Sequence, residues 1–279
     1  MLLSNVTNRQ VFSAPASVRM TPTSSLSIIT TQQQQRLVQL VSNACGVFSS
    51  ILAEHIVFAM LYFNRLVWQL QANRVAKVWD RFSMVPLRGQ TLGIVGYGNI
   101  AQACVAALAG LGVHAVGLRR SAPAGWAPGW KDEFGVEIVV GAAGFDRIVE
   151  ESDFVLNVLP ATEENHHLFD EAVFKRMKRS AVYLNIGRGM TQREDHLAAA
   201  LQSGTIRGAA VDVFEVEPLP AASPLWAVGD DKILLSPHNA DISENYAVDT
   251  GAFFLNAATK FVADGLLPEY LVDIHGKGY

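Results

Sequence analysis

The sequence holds little of what several function classes require. Its two cysteines, Cys45 and Cys104, stand in apolar or small-residue surroundings without metal-ligand spacing. That argues against a disulfide framework or a cysteine-built metal site and fits buried thiols in a reducing compartment. No apolar run approaches the roughly 18 residues of a membrane-spanning helix, so no membrane partner is expected. Positive charge is in deficit, 22 Lys and Arg against 26 Asp and Glu for a formal net charge of −4, which leaves no basic footprint for nucleic acid. Acidic residues are absent before Glu54, whereas Arg9, Arg19 and Arg36 punctuate a Ser/Thr-dense stretch that runs into Gln32-Gln33-Gln34-Gln35. Such a composition resembles an organelle transit peptide and lacks the apolar surface to fold alone. Residues 1–40 are therefore read as a disordered or transit-like segment. A plain tail implies a cytoplasmic protein; a transit peptide implies a mitochondrion or plastid.

The rest is apolar enough to fold, with 50% hydrophobic and 17% charged residues over a 279-residue chain. Ile51, Leu52, Phe58, Leu61, Tyr62, Leu66 and Leu70 recur at helical spacing and predict one helix over 49–76, with His55 packed or capped inside it. Pro86 and Gly89 then break the chain. From Gln90 onward strand-like and helix-like segments alternate. Strands are predicted at 91–95, 114–118, 136–140, 154–158, 181–185, 209–213 and 233–235, and helices at 101–111, 169–177 and 193–201. This alternation predicts an α/β fold, a doubly wound parallel sheet covered on both faces. Helical periodicity returns over 244–264, a segment expected to lie beside the 49–76 helix. Trp126 and Trp130 occupy a Pro/Gly-broken loop, where local packing and a subunit contact both stay open.

The first predicted strand ends in Gly96-Tyr97-Gly98-Asn99-Ile100-Ala101. Strand, glycine turn and small-residue helix in this order form a rest for a dinucleotide pyrophosphate. Gly96 permits the turn, Gly98 lets the backbone approach the phosphates, and Ala101 lets helix and strand pack. The N–H groups around Asn99 and Ile100 face the pyrophosphate at the positive end of the helix. The second strand normally ends in a carboxylate that binds the ribose 2′-hydroxyl of NAD. Here it ends in Arg119-Arg120-Ser121. Guanidinium groups grip a 2′-phosphate that a carboxylate repels, so NADP(H) is preferred over NAD(H).

Three later stretches are Val182-Tyr-Leu-Asn-Ile-Gly-Arg-Gly189, Ala210-Val-Asp-Val-Phe-Glu-Val-Glu-Pro218 and Leu234-Leu-Ser-Pro-His-Asn-Ala240. Each opens with a strand and closes with polar residues at its carboxyl end, where open α/β sheets bind ligands. With Ser42-Asn-Ala-Cys-Gly46, Ala53-Glu-His55 and the glycine motif, they make the chain from about Val41 to Tyr279 resemble the D-isomer-specific 2-hydroxyacid dehydrogenase family. Ser236-Pro-His-Asn239 together with Arg119-Arg120 is similar to its glyoxylate and hydroxypyruvate reductase branch. The resemblance implies hydride transfer from NADPH to a small 2-oxo acid by a typically dimeric enzyme. Arg188 would bind the substrate carboxylate and keto oxygen, His238 would donate the proton, and Glu217 would orient the His238 ring. Asn157 and Asp212 would line the nicotinamide side, with Leu159 and Pro160 near the ribose and phosphates. His166 and His167 follow Pro160-Ala-Thr162 as surface or cleft-rim residues, and no metal is expected.

In one respect the chain departs from the family. An α/β unit of the substrate domain, bearing a loop whose amides help hold the substrate carboxylate, should precede Ser42-Asn43, yet only about 40 polar residues stand there, short of the usual domain range. Residues 41–78 and 240–279 are read as what remains of the substrate domain, and 79–239 as the NAD(P)-binding domain. Genuine absence and a truncated gene product both stay open. Without that half the cleft could not close around the reacting atoms, which makes a cofactor-binding pseudoenzyme or regulatory protein the alternative reading.

Overall fold

Strand and helix alternate because short apolar, β-branched runs are punctuated by glycine turns and by segments of helical periodicity. The computed structural model describes residues 41–42, 44–264 and 271–272, and the expectations for residues 1–40 fall outside that set. The strands are β1 (Val41–Ser42), β2 (Thr91–Val95), β3 (His114–Arg119), β4 (Glu137–Val140), β5 (Phe154–Asn157), β6 (Val182–Asn185), β7 (Gly208–Val211), β8 (Ile233–Leu235) and β9 (Leu271–Val272). The α-helices are α1 (Ser49–Asn64), α2 (Val67–Ala76), α3 (Asn99–Leu108), α4 (Gly141–Glu151), α5 (Glu171–Arg176), α6 (Glu194–Gln202) and α7 (Tyr246–Asp264).

The chain divides into two compact units. The larger, Gly46–Tyr246, contains a seven-stranded sheet in the order β4-β3-β2-β5-β6-β7-β8. Every neighbouring pair in it is parallel. Period-2 alternation sorts its side chains between two cores. Leu92, Ile94, Phe154, Leu156, Val182 and Leu184 join Ile56, Met60 and Phe63 of α1 and Ala101 and Cys104 of α3 on one face. Val95, Val155, Tyr183, Ala209 and Val211 join Ile148 of α4, Phe174 of α5 and Leu197 of α6 on the other. Being covered on both faces, the central strands read as nearly continuous apolar runs. In the second unit, β1 pairs antiparallel with β9, Val41 opposite Val272, and most of α7 belongs to this unit.

The predicted 49–76 helix is in fact two, α1 and α2, bent by 59° at Leu66, which takes a left-handed φ of 50°. The cause lies at the end of α1. Asn64 is fully buried, donates to Gln90 Oε1 and accepts from Arg207, whose guanidinium also donates to the Phe63 carbonyl. The last carbonyls of a helix lack intrahelical partners, and Arg207, half-buried, supplies one. We expect Arg207→Met to lower stability by about 1–3 kcal/mol by orphaning these acceptors; an unchanged urea midpoint would count against this role. The predicted elements also omit α4, an amphipathic helix that turns Phe145, Ile148 and Val149 onto the core. Trp126 donates to the Ile138 carbonyl at 2.7 Å and packs with Trp130 on the core, so the indoles serve local packing. Cys104 is buried as expected, which pushes its thiol up to about 12, whereas Cys45 is only half-buried. No single described helix is long and apolar enough to cross a membrane.

Candidate active site at the carboxyl end of the sheet

Glycines let the loops beyond β2, β5, β6 and β7 meet backbone to backbone. Gly96 has φ +101°, and a Cβ there would lie 2.9 Å from the Val158 carbonyl oxygen. A Cβ on Gly187 would lie 2.8 Å from the Leu159 oxygen, and one on Gly189 would overlap the Phe214 carbonyl carbon. The strand order reverses between β2 and β5, the point where open α/β sheets bind ligands.

On the β2 side the arrangement fits a nicotinamide dinucleotide. Gly98 is extended and exposed, a Cβ there would meet nothing within 4 Å, and α3 begins at Asn99. An α-helix cannot satisfy its first-turn amides internally, so they suit a phosphate. Tyr97, inside the glycine motif, packs its ring against Gly117 and donates its hydroxyl to Asp132 at 2.7 Å. Burial, and then that carboxylate, hold its phenol well above its ordinary value. The Arg119 guanidinium lies 5.5 Å from the Tyr97 ring centre, a cation–π platform. Arg119 Nε is buried with no hydrogen-bond partner among the described residues, as is Thr162 Oγ1. A buried polar atom without a partner is costly, and a phosphate oxygen would satisfy the arginine. Arg120 and Ser121 are exposed beside it, and Leu159 and Pro160 are half-buried.

Asn157 and Asp212, read from sequence as lining the nicotinamide, are buried and committed inward. Asn157 donates to the Tyr183 hydroxyl and Thr191 Oγ1 and accepts from the Leu159 amide. Asp212 accepts from Ser236 Oγ at 2.6 Å and from the amides of Asn239 and Ala240. It thereby grips the chain on both sides of His238. His55 is held below its ordinary value by burial, with Asp212 opposing the shift.

Glu217 and His238 meet directly, Nδ1 to Oε2 at 2.7 Å, while Glu217 Oε1 accepts from the Phe214 amide. An ionised carboxylate can only accept, so toward one Nδ1 serves as the donor, and Nε2 takes no part in this contact. His238 holds φ at 51°, rare for a residue with a side chain. Arg188 is half-buried and donates one guanidinium N–H to the Gly187 carbonyl at 2.7 Å. Because Gly189 abuts Phe214 and Glu215, Arg188 and the Glu217 turn share one edge. Tyr97 and Thr191 were given no role from sequence, and Ser236 was read only as part of the Ser236-Pro-His-Asn239 motif; an aromatic between the two motif glycines is the one signal that pointed to Tyr97. Among the described residues no group of three or more His, Cys, Asp or Glu could hold a metal. A cavity at the opposite edge of the sheet is lined by Thr91, His114, Lys131, Glu137, Arg147 and Glu151, with Arg147 paired to both glutamates.

The family description "D-isomer specific 2-hydroxyacid dehydrogenase, NAD binding domain" matches residues 57–240. A glyoxylate reductase of Korarchaeum cryptofilum is 33% identical over 214 residues, 73% of this chain and 60% of that protein. Glyoxylate/hydroxypyruvate reductase B of Klebsiella pneumoniae is 40% identical over 207 residues, 71% and 60% of the two chains. The chain thus spans 60% of the length of both curated relatives. An NADPH-dependent glyoxylate/hydroxypyruvate reductase from Sinorhizobium meliloti, solved with NADP and sulfate, superposes with a TM-score of 0.73 at 27% identity, covering 85% of this chain and 73% of that one. A D-isomer-specific 2-hydroxyacid dehydrogenase from Xanthobacter autotrophicus, solved with NADPH, gives 0.72 at 28% identity, covering 85% and 71%.

Proposed function

The chain belongs to the D-isomer-specific 2-hydroxyacid dehydrogenase family, and on that premise we propose that it reduces a small 2-oxo acid of the glyoxylate or hydroxypyruvate class to the D-2-hydroxy acid, with NADP(H) preferred over NAD(H). The observation that carries the reading is the Glu217–His238 hydrogen bond at the carboxyl end of the sheet. A nicotinamide nucleotide, when bound, supplies the hydride that adds to the keto carbon. Arg188 pairs with the substrate carboxylate through charge-assisted hydrogen bonds. His238 gives the Nε2 proton to the keto oxygen as negative charge develops there, and Glu217 offsets the charge of the ring and fixes its orientation. Asp212 and Asn157 hold the loops that carry these groups. Gly96, Gly98 and the amides of Asn99 and Ile100 would hold the pyrophosphate, and Arg119, Arg120 and Ser121 the 2′-phosphate.

We also assign a homodimer. It is supported by apolar surface outside the cores, since α2 buries no residue and Trp79 is 95% exposed.

Following NADPH absorbance with glyoxylate and with hydroxypyruvate tests the activity. Tight NADPH binding without turnover in folded protein would replace this reading with a non-catalytic cofactor-binding role. Cofactor preference has its own test. Replacing Arg119 and Arg120 with Ser removes charge-assisted bonds, each worth about 1.5–3 kcal/mol. The KM for NADPH should rise by about 100-fold or more, with little change for NADH. A wild-type enzyme that favours NADH sinks the assignment.

A further inference from the structure

His167 belongs to the loop beyond β5, yet it ties down two other loops of the same edge. Its amide donates to the Met190 carbonyl in the loop beyond β6, at 2.9 Å. Its Nε2 meets Glu215 Oε2 in the loop beyond β7, also at 2.9 Å. His167 holds φ at 54° and its ring lies 3.7 Å from that of His166. A non-glycine residue keeps such a backbone only where its surroundings over-determine it.

Glu215 passes the constraint on. Its Oε1 accepts from the Glu194 amide at 3.1 Å, and its own amide donates to Glu194 Oε1 at 2.7 Å. This reciprocal pair fixes the start of a turn whose other end is Glu217, closed by the bond from the Phe214 amide to Glu217 Oε1. The second Glu217 oxygen is the one that meets His238. A chain of contacts therefore runs from His167 through Glu215 and the 214–217 turn to the proton donor, and His167 touches none of the reacting groups.

We propose that His167 is a positioning residue: acting through Glu215, it sets the 214–217 turn so that Glu217 holds the His238 ring ready to donate. The proposal rests on the reading of His238 as proton donor, and the closing experiment separates the two. Without His167, Glu215 loses one of its two anchors, and the turn can drift relative to the ring. Misplacement of a catalytic group by 1 Å can cost about 100-fold in rate.

The experiment compares wild type, His167→Ala and His167→Gln, the last keeping an N–H donor near the position of Nε2. It measures kcat and KM with glyoxylate, NADPH binding by fluorescence titration, and the Nδ1-bound proton of His238 by NMR on histidine-labelled protein. His167→Ala should lower kcat about 10- to 100-fold with NADPH affinity close to wild type, and the Nδ1 proton signal should broaden or vanish. His167→Gln should recover most of both. A wild-type kcat and an intact signal in His167→Ala overturn the proposal. So does a joint loss of kcat, cofactor affinity and melting temperature that glutamine fails to restore, which marks a merely structural residue. If wild type turns over no 2-oxo acid, the functional reading fails, and the NMR comparison alone still decides whether His167 sets the Glu217–His238 contact.

Discussion

His238→Ala is expected to lower kcat by about two to four orders of magnitude, the usual contribution of a positioned general acid, while NADPH binding stays nearly intact. The separation follows from the geometry. Gly96, Gly98, Tyr97 and Arg119, the residues proposed to face the nucleotide, belong to the ends of β2 and β3. His238 is anchored by Glu217 and by the Asp212-bound loop beyond β8. Alanine at φ 51° is strained, and the loop could shift for that reason alone. Asparagine tolerates the left-handed region, so His238→Asn serves as the second variant and should lose as much activity without the strain. Steady-state kinetics with NADPH and glyoxylate, alongside fluorescence titration of NADPH, read both effects. Either variant retaining the wild-type kcat removes His238 from the reaction.

What could be read from the sequence was whatever each residue does for its own segment. The parallel strands were legible because burial on both faces writes them as short apolar runs, and the glycine motif because its turn constrains the backbone locally. Arg119 was legible as a charge where a carboxylate is expected. Properties set by distant partners were not. The break between α1 and α2 depends on Asn64 meeting Gln90 and Arg207, far along the chain. Asp212 and Asn157 were placed correctly at strand ends, but sequence could not tell which neighbours take their oxygens and amides. In the structure those neighbours are the loops that carry His238 and Arg188, so both residues hold the site from behind. His167 read as a rim residue because its partners, Met190 and Glu215, lie in two other loops.

Gly189→Ala is expected to be among the most damaging single changes in the chain, and Gly98→Ala among the most selective. An added Cβ at Gly189 would overlap the carbonyl carbon of Phe214 and crowd the Glu215 amide. Backbone cannot rotate aside as a side chain can, so the loops beyond β6 and β7 must separate. Overpacking of this kind costs about 1–3 kcal/mol or more. The separation also carries Arg188 away from the turn that holds Glu217, so activity should fall by more than the lost stability explains. At Gly98 a Cβ meets nothing within 4 Å and the backbone φ is ordinary. That variant should therefore melt with wild type yet bind NADPH far more weakly, because the methyl group would occupy the space a phosphate needs. Thermal melts and NADPH titrations of the two variants test the contrast. A Gly189→Ala protein with wild-type stability and turnover would mean that the loops are not in backbone contact. A Gly98→Ala protein that binds NADPH normally would move the pyrophosphate away from the start of α3.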